Sequence, residues 1–586
     1  MSDDGATHRP FVTGGSLHLL HPREWSRRSI ASLAILTVFV LLPVRGLYRA
    51  TGSSMEEGFM LVFPRLVREG WVPNADFLHL YGPGSLHVLA GWYTLFGDAL
   101  EVQRTFGLLQ HVGIITALYA LTRVWGHFVA LLSAVLAGLM VLTPIGLSAL
   151  AWHGALALAL WALVIALRAR SLDGRAQCWA IATAGFLAGM ALSFRPDIVL
   201  GLAVSLGVLW WRVRPDWRWS FGGVAVGLIP MWAHLLMAGI PASVQGMILD
   251  PVFELRPGRE LPRPPSFSHI DGALQFVAEL IPPWWGPPAM SAEKQLFFWF
   301  WAVVLIAIGV PFYAWRVRRR GDRGVQSDVL LYAGLFGLGI LPQAMQRPDS
   351  THLAWVACVS WPLATAALAD ALRRTGWSAH RLRRHLTTAG VVTLVLFVIC
   401  PFFTLRHYLL HTRVSVGNLP VPHVVERGDR RFWFGDPVAA DALRSAVSAL
   451  ELVAEEGDRL LVGPADLSRT VYSDVAIYYL FPELEPATYY IEMDPGLANS
   501  EGSGLDEDVS SADYLVLTNL WTGWWEPNTS GDWGWQVPNE IVANEFCLIG
   551  TWNDHMAMLF ERCEGGGGFN PAEVAATPIP AGAAGQ

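Results

Sequence analysis

The sequence predicts a polytopic α-helical membrane protein of about eleven transmembrane helices, with a small extracytoplasmic α/β domain at the C-terminus. Of the 586 residues, 53% are hydrophobic and only 15% are charged, whereas soluble proteins carry roughly 25% charged residues. Apolar runs of about 17–22 residues recur along 29–406, and each is long enough to cross a bilayer. After 406 the chain becomes more polar, and short apolar runs alternate with turn residues.

These shifts in composition divide the chain. The first apolar run follows "REWSRRS" and has no small-residue cleavage site, so we interpret it as a retained helix rather than a signal peptide. The predicted parts are a disordered cytoplasmic N-terminus (1–28), a transmembrane domain (29–406), a linker (407–436), an α/β domain (437–563) and a disordered tail (564–586).

Arginine predicts the orientation, because loops rich in Lys and Arg remain in the cytoplasm. The basic loops are 23–28, 168–175, 211–218, 316–323 and 373–384. Pairs of apolar runs separate the later loops, and each pair crosses the membrane outward and back to the cytoplasm. The last run therefore crosses outward, which places 406–586 outside the cytoplasm. One conflict remains, because four runs precede the loop at 168–175 where an odd number is needed. The run at 84–97 is short for a span.

The same rule places several loops on the outer face of the plasma membrane. They are the first extracytoplasmic loop (49–83), "FRPD" (194–197), a Pro-rich loop (241–293) and "QRPDSTH" (346–352). Loops that are far apart in sequence therefore converge beneath the C-terminal domain.

Three short apolar runs in the C-terminal part predict strands, at 458–464, 512–519 and 556–563, and 437–456 has helical spacing. Cys547 and Cys563 flank a predicted hairpin and suit one disulfide if this part is outside the cytosol. The Trp-rich segment 521–535 either packs as a loop, stacks on sugar rings or lies at the membrane interface.

The first outer loop carries the residues that suit chemistry. Glu56 and Glu57 are adjacent, and Asp76 and His79 follow in the same loop. Carboxylates above a bilayer suit a general base or a divalent cation. Two other interpretations stay open: Ser54 to Glu57 matches a capping box, and Glu56 also fits a solvated surface position.

The acidic pair, then "GWVPNADFLHLYGPGSLHVLAGWYTLFG" (70–97) and "QR" (103–104), resembles the GT-C superfamily of integral-membrane glycosyltransferases. The likeness is to the protein O-mannosyltransferase and aminoarabinose-transferase branch, and it covers mainly residues 30–200. It implies transfer of a sugar, with inversion, from a polyprenyl-phosphate donor to an acceptor in the cell envelope. The family usually has Asp-Glu where this chain has Glu56 and Glu57.

The resemblance implies Glu56, Glu57 and Asp76 as the catalytic residues. The leaving lipid phosphate needs positive charge, which we assign to Arg195, Arg347, His352 and His79. Pairing of each arginine with its neighbour, Asp197 or Asp349, is the competing interpretation.

The expected partners are the lipid-linked donor, membrane lipid and an envelope acceptor that is a glycan, a lipid or a protein. Nucleic acid is excluded because the chain has no basic domain. No metal ligands and no cofactor are assigned, apart from the divalent cation that carboxylates would suit. Two alternatives remain: a flippase for lipid-linked sugars, and an inactive relative that acts in envelope assembly. The spans are nearly free of charge, which favours chemistry at the interface over transport.

Overall fold

The computed structural model describes residues 26–142, 146–213, 217–276, 290–375, 380–417 and 423–576. In these ranges, eight helices are long and apolar enough to cross a membrane, and a ninth span results if one bent pair is counted. The eight are Arg27–Leu47, Leu100–Trp125, Ala151–Ala169, Gly174–Phe194, Ala292–Arg319, Val325–Gln346, Ser350–Arg374 and Arg381–Ile399. The prediction of a multi-pass helical membrane protein is confirmed.

The eight or nine spans of the described ranges compare with a prediction of about eleven, uncertain by two. Three further apolar runs form helices that are shorter than a bilayer crossing. These are Gly84–Phe96, His127–Val141 and Pro196–Trp211. The bent pair, Trp217–Gly227 and Ile229–Met237, turns by 47° at its break. The short helix Gly84–Phe96 lies where the predicted topology had one run too many.

Shorter helices occupy the loops between the spans. Glu56–Glu69 lies in the first outer loop and is buried along most of its length. The Pro-rich segment forms Ile240–Val244, the π-helix Gln245–Leu255 and the turns Arg256–Gly258 and Ala273–Phe276. After the last span come the π-turn Phe402–Arg406 and the helix His407–Ser415.

The C-terminal part contains a hairpin and a five-stranded mixed sheet. The strands are β1 (His423–Arg427), β2 (Arg430–Phe434), β3 (Arg459–Pro464), β4 (Glu485–Pro486), β5 (Tyr514–Thr518), β6 (Phe546–Trp552) and β7 (Ala557–Arg562). The hairpin pairs β1 with β2, and the sheet has the order β4-β3-β5-β7-β6. β3 runs parallel to β4 and β5, and β7 runs antiparallel to β5 and β6. All three predicted strands are present.

Four helices accompany the sheet: Pro437–Val453, Ala476–Leu480, Leu505–Ser511 and Val537–Glu545. The first is the predicted amphipathic helix, and Asp436 caps it by accepting the Val438 amide. β3 and β5 are almost continuously buried, as expected for the central strands of a sheet that is covered on both faces.

Two segments differ from the predicted division. In the predicted linker, Val425 and Phe432 of the hairpin belong to the same buried core as the membrane helices, so this segment is folded. In the predicted disordered tail, Pro571–Val574 forms a turn, and Phe569 packs against the core of the sheet. Both segments are polar overall, so the sequence predicted no folded structure there. Each nevertheless carries apolar side chains that pack into a core. Residues 577–586 lie outside the described residues, as do 1–25.

Cys547 and Cys563 form a disulfide that ties β6 to the end of β7. The C-terminal part also contacts the first outer loop closely. The Ala476 amide donates to the Ser54 carbonyl at 2.9 Å. A Cβ added at Gly58 would lie only 2.6 Å from the Ala476 nitrogen. Close backbone contact therefore holds the start of helix Glu56–Glu69 under this domain.

Candidate functional site

The two adjacent glutamates have different environments. Glu57 is 3% exposed, and its carboxylate accepts two hydrogen bonds from Arg104, from Nε at 2.8 Å and from Nη2 at 2.6 Å. The third nitrogen of Arg104 donates to the carbonyls of Leu47 and Tyr48. Glu57 therefore joins the first outer loop to two membrane helices, and the structure does not place it with the reacting groups.

The capping-box interpretation is wrong for this helix. Ser54 donates its hydroxyl to Asp474 Oδ1 at 2.6 Å, and the Glu57 carboxylate is held by Arg104. The Ser53 hydroxyl accepts the Glu56 amide instead. Burial is the main cause that raises the pKa of Asp474.

Glu56 begins the helix, and its side chain is only partly exposed. Within the described ranges, no hydrogen bond or ion pair engages its carboxylate. Burial raises the pKa of Glu56 above its usual 4.5, and Asp349 adds to that rise. His352, Arg347 and Arg259 lower the pKa, but by less than burial raises it. Glu56 is thus an unpaired carboxylate beside cationic groups, with a higher proton affinity than an ordinary glutamate.

Arg347 and His352 lie at this site, as the sequence predicted. Arg347 is 6% exposed, and its Nη2 contacts Glu526 Oε2 at 3.0 Å. Asp349 caps the helix that follows, because it accepts the amides of Thr351 and His352 at 2.9 Å. The same carboxylate contacts His352 Nδ1 at 2.8 Å, which fixes the orientation of the imidazole.

Arg195 is also buried, and it pairs with its neighbour Asp197 through Nε at 3.1 Å and Nη2 at 2.7 Å. Its guanidinium lies over the Tyr81 ring at 4.4 Å and near the Trp152 ring at 5.3 Å. The competing interpretation, pairing with Asp197, is present in the structure. The Tyr81 ring lies between Arg195 and the groups around Glu56. Burial is the main cause that raises the pKa of Tyr81, and Glu56 adds to that rise.

His79 and Asp76 have other environments. His79 is fully buried, with ring edges against Phe63 and Tyr81, and burial lowers its pKa to about 3. A neutral imidazole supplies no positive charge, so His79 does not fit the phosphate-binding role assigned from sequence. Asp76 is exposed, and its carboxylate accepts the Val72 amide at 2.6 Å. It stabilises a turn, and it is not among the charges that shift the pKa of Glu56.

Sequence reasoning missed Arg259, which comes from the Pro-rich outer loop. Its Nη2 contacts Asp494 Oδ1 at 2.6 Å, and its guanidinium lies 4.8 Å from the centre of the Tyr472 ring. A signal was available, because Arg256, Arg259 and Arg263 stand in a loop that the topology places outside, against the usual bias of basic residues.

The C-terminal domain supplies further carboxyl groups. Glu492 and Asp494 precede strand β5 in the chain, and Glu526 belongs to the Trp-rich segment. Burial raises the pKa of Glu492 well above its usual value, and Asp494 and Glu56 add to that rise. None of these residues carries a recognisable motif, so only the folded chain shows them near Glu56.

Metal binding was left open by the sequence. Over the ranges that the structure describes, no group of three or more His, Cys, Asp or Glu side chains is arranged to hold a metal ion.

No known protein family and no curated protein matches the chain. Among solved structures, ArnT from Cupriavidus metallidurans bound to undecaprenyl phosphate aligns over 93% of this chain and 98% of its own, with 14% identity and a TM-score of 0.48. The oligosaccharyltransferase AglB from Archaeoglobus fulgidus, in complex with an inhibitory peptide and a dolichol-phosphate, aligns over 88% and 73%, with 14% identity and a TM-score of 0.44.

The same archaeal enzyme in complex with Zn and sulfate aligns over 87% of this chain and 71% of its own, with 12% identity and a TM-score of 0.41. All three alignments have TM-scores below 0.5, and the proposal below rests on the residues of the site.

Proposed function

We propose that the protein is a membrane glycosyltransferase that moves a sugar from a polyprenyl-phosphate donor to an acceptor hydroxyl at the outer face. One observation carries the proposal. Glu56 is unpaired among the described residues; burial raises its pKa, and Arg347 and Arg259 lie near enough to oppose that rise. The Nε atoms of both arginines are buried without a hydrogen-bond partner in the same ranges. An unpaired carboxylate can accept the proton of a hydroxyl that attacks a phosphate-linked carbon, and arginine N–H groups without a partner can bind the phosphate that leaves.

In the proposed reaction, Glu56 accepts the proton of the acceptor hydroxyl as that oxygen attacks the anomeric carbon. The new bond forms on the face opposite the phosphate, so the configuration inverts. The bond from the anomeric carbon to the phosphate oxygen breaks, and lipid phosphate leaves with the electron pair. Arg347 and Arg259 then stabilise its negative charge, because a planar guanidinium matches phosphate oxygens.

The remaining groups adjust the charge of the site. Asp349 holds His352 beside Glu56. Glu492 retains its proton more readily than an ordinary glutamate because it is buried next to Asp494.

The proposed orientation places the N-terminus in the cytoplasm of the cell and the domain at 437–563 outside the plasma membrane. Arginine-rich loops support it. The disulfide between Cys547 and Cys563 also supports it, since disulfides persist in oxidising compartments.

The test is transfer by the purified full-length protein from a panel of labelled polyprenyl-phosphate sugars to a crude envelope fraction. We expect transfer by the wild type and its loss in Glu56→Gln. Asp76→Asn is the matched control, because it removes an exposed carboxylate from the same loop and should leave the rate unchanged. If the wild type binds a donor but transfers nothing, the alternative of an inactive assembly protein is correct. Movement of a donor across vesicles without transfer would favour the flippase.

A further inference from the structure

A cleft of about 760 Å³ lies in the C-terminal domain, in a part that the proposed reaction does not use. Its volume falls within the roughly 300–1,000 Å³ of small-molecule sites. Two segments line it, 496–501 and 529–540. Trp533 and Trp535 belong to the second segment, and the Trp533 side chain is 60% exposed. Two indole rings thus share one cavity of a size that suits a small-molecule ligand.

The backbone fixes the two tryptophans in place. The Gly534 amide donates to the Ser468 carbonyl at 2.6 Å, and the Trp535 amide donates to the Asn499 carbonyl at 3.0 Å. The Asn499 side chain also donates to the Ser468 carbonyl. A Cβ at Gly534 would lie 2.1 Å from the Asn499 oxygen, so only glycine allows this approach. The rings are therefore presented by a preformed loop.

The polar lining of the cleft is acidic. Glu501, Asp532 and Glu540 are exposed and line it, and no ion pair engages them among the residues that the structure describes. Carboxylates accept hydrogen bonds from hydroxyl groups, and the faces of the indole rings suit the C–H faces of sugar rings. The lining residues include no Lys or Arg. The guanidinium of Arg469 lies 5.7 Å from the centre of the Trp533 ring, but it donates to the carbonyls of Thr522 and Trp524. The exposed charge of the lining is therefore negative, which disfavours an anionic ligand and fits a neutral carbohydrate.

Both lining segments continue directly into the site around Glu56. Asp494, just before the first segment, pairs with Arg259. Glu526, just before the second, pairs with Arg347. The two lining segments are thus continuous in sequence with residues that pair with the arginines near Glu56.

We propose that this cleft binds a neutral glycan, as the part of the acceptor that lies away from the reacting hydroxyl. The inference rests on the proposed transferase function and adds the class of its acceptor. It assigns Trp533 as the main stacking surface and Trp535 as the second.

The experiment measures binding directly, so that it does not depend on transfer. The full-length protein in detergent is titrated calorimetrically with neutral hexasaccharides of mannose, glucose, galactose and arabinose. Oligogalacturonate serves as the anionic probe and tetramethylammonium as the cationic probe. We expect at least one neutral glycan to bind and Trp533→Ala to weaken that binding about tenfold, which is the scale of one lost aromatic contact. Trp533→Phe should retain most of the affinity.

Trp179→Ala is the control, because Trp179 is similarly exposed, at 66%, in a membrane helix. It should leave binding unchanged. If transfer is detected, Trp533→Ala should raise the KM for acceptor about tenfold and leave kcat and the KM for donor unchanged. Replacing Glu501, Asp532 and Glu540 by the corresponding amides should admit oligogalacturonate.

The proposal is overturned if no neutral glycan binds, if Trp533→Ala binds as well as the wild type, or if oligogalacturonate or tetramethylammonium binds in preference. Quenching of Trp533 fluorescence by brominated lipid, absent from Trp533→Ala, would also overturn it in favour of the membrane interface. Glycan binding without transfer from any donor would sink the proposed function and leave the cleft as a carbohydrate site.

Discussion

Replacement of Glu57 should lower the free energy of unfolding, whereas replacement of Glu56 should leave it nearly unchanged. Glu57 and Arg104 are 3% and 2% exposed and form two short hydrogen bonds. Glu57→Ala leaves the guanidinium of Arg104 buried without its counter-charge, which costs about 3–5 kcal/mol. Since whole domains are stable by only about 5–15 kcal/mol, the loss is large. Glu56 has no such partner, so Glu56→Gln should change the free energy of unfolding by less than about 0.5 kcal/mol.

The assay compares thermal and denaturant unfolding of both variants in the same detergent, together with transfer activity. Glu57→Ala should lower stability and activity together. Glu56→Gln should lower kcat about 10²–10⁴-fold, the scale of a lost general base, without a change in stability. A double variant, Glu57→Leu with Arg104→Met, should recover much of the stability, because an apolar pair can replace a buried ion pair.

Two results would refute this reasoning. If Glu57→Ala unfolds like the wild type, then the pair with Arg104 does not stabilise the fold. If Glu56→Gln destabilises the protein as strongly as Glu57→Ala, then Glu56 is a structural residue, and the proposed base must be sought elsewhere.

Three further predictions follow from the structure. Because the pKa of Glu56 is raised above its usual 4.5, the acid limb of the pH profile for kcat/KM should lie above pH 4.5. Activity falls there because the base becomes protonated as the pH falls through its pKa. An acid limb below pH 4.5 would contradict the assignment. Reduction of the Cys547–Cys563 disulfide, whose cysteines are 16 residues apart, should cost about 3 kcal/mol in a comparison of unfolding with and without reductant. Asp349→Ala should cost about 1–2 kcal/mol through the lost helix cap. Asp349→Asn, which keeps a capping oxygen but removes the negative charge of residue 349, should keep most of the stability measured by unfolding.

Much of the fold was predictable, because it follows from local patterns. Apolar length predicted the spans, and short apolar runs between turn residues predicted β3, β5 and β7. The number of spans was uncertain by two where apolar runs were short, as at Gly84–Phe96. Sequence alone cannot show whether a short apolar helix spans the bilayer or packs against its neighbours.

The site was predictable only in part. Glu56, Arg347 and His352 lie together, as expected from loops that share one face. Arg259 and Glu492 were missed, because each is brought to Glu56 by tertiary contacts between segments that are far apart in the chain. Their local sequence shows only a basic residue in a loop and an acidic residue near a turn.

Adjacent residues of a helix point about 100° apart, and this rotation explains why two identical side chains have different roles. Glu57 points into the bundle, where Arg104 is buried and requires a counter-charge. Glu56, at the first position of the helix, points toward the arginines beneath the C-terminal domain. A shift of the helix by one residue would put one glutamate in the place of the other and would leave the second glutamate in neither environment. The close contact between Gly58 and Ala476 therefore matters for chemistry as well as packing, because it fixes which carboxylate remains unpaired.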